Sequence, residues 1–146
     1  HTKIVNFKKE KIHIENAEKF IKNSKFGASI YFLGTVRNMN DNKAVIGITY
    51  DSHDEMVIKS FEEIYNEADQ KLDIKDKAVF IEHAKGYLNL GDVSIIIAVA
   101  CKHRDQAYLL SRYIIEEIKK RSPIWKKEHY ENEESEWLKG NPISGT

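Results

Sequence analysis

A single cysteine, Cys101, stands in the 146 residues, so an internal disulfide and a zinc ribbon built on Cys pairs are both excluded. Prolines number two and glycines seven, and they gather into no linker. Internal repeats and low-complexity stretches are also lacking, so residues 1–146 read as one domain. No charge excess exists either, because 23 basic residues balance 23 acidic ones. That argues against a general nucleic-acid or membrane binder, which carries a basic surplus. The longest apolar run, Ile95 to Cys101, is far shorter than the roughly 20 residues a bilayer needs. His1 to Val5 lack a signal-peptide core, which makes the cytoplasm the expected location. The six histidines are scattered without ligand spacing, so no metal is expected.

What remains is a globular composition, 41% hydrophobic and 32% charged, long enough to enclose a core. Ala17, Phe20 and Ile21 predict a short amphipathic helix capped at Asn16. Ala28 to Val36 alternates as a strand, with Ile30, Phe32 and Val36 against Ser29, Tyr31 and Thr35. Gly34 admits a close approach within it. A polar turn, Asn38 to Lys43, leads to a strand over Ala44 to Tyr50. Met56, Phe61, Ile64, Tyr65, Ala68 and Leu72 recur at helical spacing. Strands follow over Ala78 to His83 and Val93 to Cys101, joined by a turn from Tyr87 to Asp92. The second is apolar almost throughout, so both its faces should be covered.

A long helix is predicted from Asp105 to Arg121, with Ala107, Leu110, Ile114 and Ile118 on its buried face. Ser122-Pro123 ends it, since a residue before proline avoids the helical region. Trp125 to Thr146 should wrap the surface as a short strand and a short helix. The order β-α-β-β-α-β-β-α implies an α/β (α+β) two-layer sandwich. Its sheet would be largely antiparallel with helices on one face, plus a small additional β subdomain.

Three basic segments carry the candidate chemistry. Gly34-Thr35-Val36-Arg37 delivers an arginine at a strand end, where it could equally be an ordinary turn residue. His103-Arg104 sits where a buried strand meets a long helix. Free backbone N–H groups there suit an anion such as phosphate, and cations at that end oppose the helix dipole unless something compensates them. Lys119 to Glu128 holds five basic residues in its first nine. Lysines near a helix C-terminus are favoured anyway, so a solvated face is the plain alternative. Cys101 ends an apolar run and reads as a small buried hydrophobe.

These segments resemble the large-subunit family of molybdopterin synthase. The match rests on Gly34-Thr35-Val36-Arg37-Asn38, Leu90-Gly91-Asp92, Ala100 with His103-Arg104, and the block Lys119 to Glu128, over about residues 27 to 138. The resemblance implies a sulfurtransferase of molybdenum cofactor biosynthesis. A small ubiquitin-like carrier subunit would bring sulfur on a C-terminal Gly-Gly thiocarboxylate, and the acceptor would be cyclic pyranopterin monophosphate. Two transfers would build the dithiolene of molybdopterin, within a homodimer that forms the centre of a heterotetramer. Lys119 and Lys126 would be the catalytic residues. Thr35, Val36, Arg37, His103, Arg104, Lys127 and Glu128 would join them in binding substrate. Neither a cofactor nor an internal thiol is implied. The chain departs from the family at Asp51 to Met56, where Glu-His-Tyr-Pro-Gly-Met is common. The competing expectation is a non-catalytic module that holds the tail of a ubiquitin-like protein.

Overall fold

The computed structural model describes residues 1–131 and the short strand 136–138, with side chains over 1–131. In chain order the elements are β1 (Thr2–Asn6), α1 (Ile14–Ile21), β2 (Ala28–Thr35), β3 (Met39–Asn40), β4 (Lys43–Ser52), α2 (Asp54–Lys71), β5 (Lys77–Asn89), β6 (Val93–Cys101), α3 (Arg104–Arg121), β7 (Ile124–Tyr130) and β8 (Glu136–Leu138). The sheet order is β2-β6-β5-β4-β7-β8, with β1 beside β5 and β3 beside β4. Only the β1–β5 pairing is parallel among the described residues.

Strand β5 divides the sheet in two. Its residues from Lys77 to His83 pair with β6, while Gly86 to Asn89 pair with β4. Gly86, where the second stretch begins, has φ +113, a conformation that side-chain-bearing residues rarely adopt. The larger sheet is therefore β1, β5, β6 and β2. The far half of β5 joins β4, β7 and β8 in the small β subdomain. The turn after β5 is shorter than the spacing suggested, because Leu88 is fully buried and keeps the strand intact. Gly91, at φ +83, makes the reversal.

The register puts Ile30, Phe32, Val79, Ile81, Ile97 and Val99 on one face. Helix α3 lies over it, with Ala107, Leu110, Ile114 and Ile118 fully buried as their spacing predicts. Each of the larger three contributes about 2 kcal/mol by leaving water. Helix α2 packs beside α3. The short α1 reaches the reverse face, where Phe20 and Phe80 sit with ring centroids 5.8 Å apart. Strand β6 is thus covered on both sides.

Two local expectations change. Helix α1 starts at Ile14 with His13 as its N-cap, so Asn16 lies in the first turn, its N–H donating to the His13 carbonyl at 3.2 Å. In α2, Val57, Phe61, Ile64 and Ala68 form the buried line, whereas Met56 stays 53% exposed. Capping by His53, whose Nδ1 accepts from the Met56 N–H, fixes that phase. No helix among the described residues is long and apolar enough to cross a membrane. The short helix expected near the C-terminus lies outside the described residues.

Candidate active site

Three chain segments meet where the larger sheet joins the subdomain. The first runs out of β2 through Thr35 to Arg37. A bulge at Gly34/Thr35 releases the strand there, and Val36 N–H donates to Asp92 O while Gly91 N–H donates to Val36 O. The second is the last turn of α3, which carries Lys119. The third is β7, which starts directly after Pro123 has barred further helix. Strand alternation turns Ile124, Lys126 and Glu128 inward and leaves Trp125 and Lys127 on the opposite face.

Lys126 is almost wholly buried, at 2% exposure. Its Nζ lies 4.0 Å from Glu128 Oε1, and Asn40 Nδ2 donates to that same oxygen at 2.7 Å. Asn40 arrives on the β3–β4 hairpin, whose two turn residues Asp41 and Asn42 have φ of 49° and 62°. Positive φ at both positions gives the turn the twist that a two-residue hairpin needs. The other Glu128 oxygen is buried with no hydrogen-bond partner among the described residues. Burial pushes the Lys126 amine below the ordinary lysine value, opposed by Glu128 and helped by the positive charges of Lys119 and Arg37. Burial also lowers Lys119, with Glu116 acting against it. An amine held this way gives up a proton more readily than one in water.

Lys119 opens onto a groove of about 530 Å³ between β2 and α3, lined by Ile30, Phe32, Tyr108, Arg112 and Ile115 among others. That is the size and mixed character of a small-molecule site. Thr35 and Arg37 face the neighbouring recess that holds Lys126 and Glu128. Within one chain, then, Thr35, Arg37, Lys119, Lys126 and Glu128 are brought together.

Four of the expected residues are placed elsewhere. Lys127 lies on the outward face of β7, because neighbours in a strand point to opposite sides. The Val36 side chain is buried at 3% exposure, which leaves it a packing role. His103 and Arg104 sit at the N-terminal end of α3, beside Gly27 and Ala28. Arg104 is about 22 Å along the helix from Lys119. Of the remaining basic block, Lys120 pairs with Glu117, and Arg121 forms a two-point ion pair with Glu67 that ties α3 to α2. Cys101 is fully buried and burial raises its thiol, which suits packing rather than nucleophilic work.

Sequence spacing does not single out Asn40 or Phe32. A polar residue in a turn and an apolar one in a strand carry no signal of their own until the fold sets them beside the lysines.

Residues 7–121 match the family model described as MoaE protein. A molybdopterin synthase catalytic subunit from Synechococcus elongatus is 38% identical over 130 residues, covering 89% of this chain and 78% of that protein. Molybdopterin synthase from Staphylococcus aureus has a solved structure with a TM-score of 0.84 and 33% identity, covering 92% of this chain and 94% of that one. The fold is also that of a chain solved in a complex of subunits 1 and 2 of molybdopterin-converting factor from Helicobacter pylori. There the TM-score is 0.69, with 24% identity over 98% of this chain and 92% of that one.

Proposed function

We propose, from the premise that this chain belongs to the MoaE protein family, that Lys119 and Lys126 form the catalytic centre of its sulfur-transfer reaction. The chain acts as the catalytic subunit of molybdopterin synthase, a sulfurtransferase of molybdenum cofactor biosynthesis. It works with a small sulfur-carrier subunit. In our reading the carrier's C-terminal Gly-Gly thiocarboxylate enters the groove beside Lys119, and cyclic pyranopterin monophosphate receives the sulfur in two rounds that build the dithiolene. The work takes place in the cytoplasm.

The observation that carries this reading is the meeting of two partly desolvated lysines with Arg37 and Glu128 at the end of a groove. Sulfur attack on a pterin side chain develops negative charge and moves protons. A lysine of lowered pKa can stabilise the first and mediate the second. Arg37 offers a planar fork for a phosphate oxygen. Glu128 holds Lys126 in place, and its second oxygen remains able to accept a further hydrogen bond.

His103 and Arg104 come to this centre from a second copy of the chain. Among the described residues β2 is an edge strand of the sheet. His103 adjoins the start of β2, because Gly27 N–H donates to Lys102 O, while Arg37 follows its end about 23 Å away. A two-fold axis across that edge sets the start of one β2 against the end of the other. Each groove then gains an arginine, a histidine and the free N–H groups of an α3 N-terminus, a natural seat for phosphate.

The test is reconstitution with the thiocarboxylated carrier and cyclic pyranopterin monophosphate, assayed for dithiolene product. Wild-type protein should form product, and Lys119→Ala should bind carrier yet form none. If Lys119→Ala turns over normally, the chemistry lies elsewhere. A module that only holds a peptide tail would yield no product even as the wild type.

A further inference from the structure

Next to the open groove, and sharing Phe32, Ile115 and Lys119 with it, is a second and much smaller cavity of about 10 Å³. Tyr50, His83, Ser94 and Lys119 contribute to its wall, and Phe32 with three isoleucines, Ile95, Ile115 and Ile118, forms the apolar side. We propose that this cavity is a binding site for one ordered water that ties the Lys119 amine to the buried Tyr50 and His83, making Tyr50 and His83 positioning residues of the sulfur-transfer centre.

Size limits the occupant. A water needs roughly 10–15 Å³ of accessible space and two to four polar partners, so one water fits and nothing larger does. Hydrogen-bonding capacity is the second ground. His83 is fully buried, and its Nδ1 lies 2.8 Å from the Ala84 carbonyl, which can only accept. Nδ1 therefore carries the proton and Nε2 is left as an acceptor. Burial lowers its pKa to about 4, so the imidazole is neutral near pH 7. Ser94 Oγ donates to Gly34 O at 3.1 Å, which uses its hydrogen and leaves its lone pairs. Tyr50 is buried with its ring edge on His83, centroids 5.0 Å apart, and burial raises its phenol against the opposing hydrogen bond to Ser94. With the serine hydrogen on Gly34 O, the phenol donates to Ser94 Oγ and keeps its own lone pairs. Lys119 brings only donors. A water can accept from the lysine while donating to His83 Nε2 and to the Tyr50 oxygen, which gives it three bonds, within the usual range.

Apolar residues of the same volume would fill this position without the cost of burying a histidine, a tyrosine hydroxyl and a serine together. Tyr50, His83 and Ser94 do not line the open groove. Their route to the chemistry runs through Lys119, whose amine they orient toward the substrate side. This proposal rests on Lys119 being catalytic as argued above.

Two measurements test it. A crystal structure of the full chain at a resolution that shows solvent should contain one peak within roughly 3 Å of Tyr50 Oη, His83 Nε2 and Lys119 Nζ. Tyr50→Phe, which keeps the ring against His83, should lose that peak. In the reconstituted assay Tyr50→Phe should lower kcat about tenfold with KM for the pterin unchanged. His83→Leu should do the same, and His83→Gln, which retains an acceptor, should recover part of the rate. A cavity filled by protein atoms, or wild-type kcat in Tyr50→Phe, overturns the inference. Should the peak behave as expected while wild-type protein makes no dithiolene, the water site stands and the sulfur-transfer reading falls. Should product form without the peak, the sulfur-transfer reading stands and the water site falls.

Discussion

Lys126 and Glu128 stand on the same inward face of β7, Nζ to Oε1 at 4.0 Å, while Lys127 between them belongs to the other side of the sheet. Adjacent lysines in one sequence block therefore live in different environments. Lys126→Ala should lower product formation by about 10²-fold or more, the scale on which positioned proton donors and acceptors act. Lys127→Ala should stay within about threefold of wild type, close to the scale of an ordinary surface change. Single-turnover assays of the two variants side by side check this. Equal losses would contradict the strand-face assignment.

Charge and proton transfer can be separated at Lys119. Arginine preserves the cation but cannot shed a proton near neutral pH. Because burial lowers the Lys119 amine, part of its role is expected to be proton transfer. Lys119→Arg should thus remain down by about 10²-fold in single-turnover rate, well short of rescue. Recovery to near wild type would make Lys119 an electrostatic clamp alone.

His83 makes stability depend on pH in a defined window. Its pKa is about 4 in the fold and 6.5 when unfolded. Below 6.5 the unfolded chain takes up a proton that the folded one refuses, so stability falls as pH drops from 6.5 to 4 and this contribution then levels off. The loss from this one group is about 3 kcal/mol at 1.36 kcal/mol per unit. Denaturant unfolding of wild type and His83→Gln across that range should show the slope shrinking in the variant. Parallel curves would contradict the assignment.

The helical layer can be tested without reference to chemistry. Ile114 is fully buried on the sheet-facing side of α3, and Ile114→Ala should cost about 2–5 kcal/mol through lost burial and the cavity left behind. Chemical denaturation reads this directly. A change below about 1 kcal/mol would mean that α3 does not seat on the sheet as described.

Periodicity makes much of this legible in the sequence. Ala107, Leu110, Ile114 and Ile118 repeat at helical spacing, and the core obeys them. Ile95 to Cys101 is apolar at every position because both faces of β6 are covered. Strand alternation applies equally to Lys126, Lys127 and Glu128, yet a dense basic block obscures it. What the sequence does not reveal depends on contacts far apart in the chain. Asn40 meets Glu128 only because a hairpin turns between Asn40 and Lys43, and Tyr50 meets His83 only because β4 pairs with β5 from Gly86 onward. The phase of α2 escapes the spacing for a related reason. Met56 and Val57 are both apolar, and the His53 cap decides which one faces inward.

Mixed dimers test the composite site most directly. Arg104→Ala and Lys119→Ala chains, each inactive alone, are co-expressed with different tags, and the hybrid is purified and assayed with carrier and pterin. If His103 and Arg104 reach the groove of the other copy, one of the two sites in the hybrid is intact, and about half of wild-type activity per dimer returns. An inactive hybrid dimer would mean that each chain uses its own Arg104, contradicting the cleft shared between two copies.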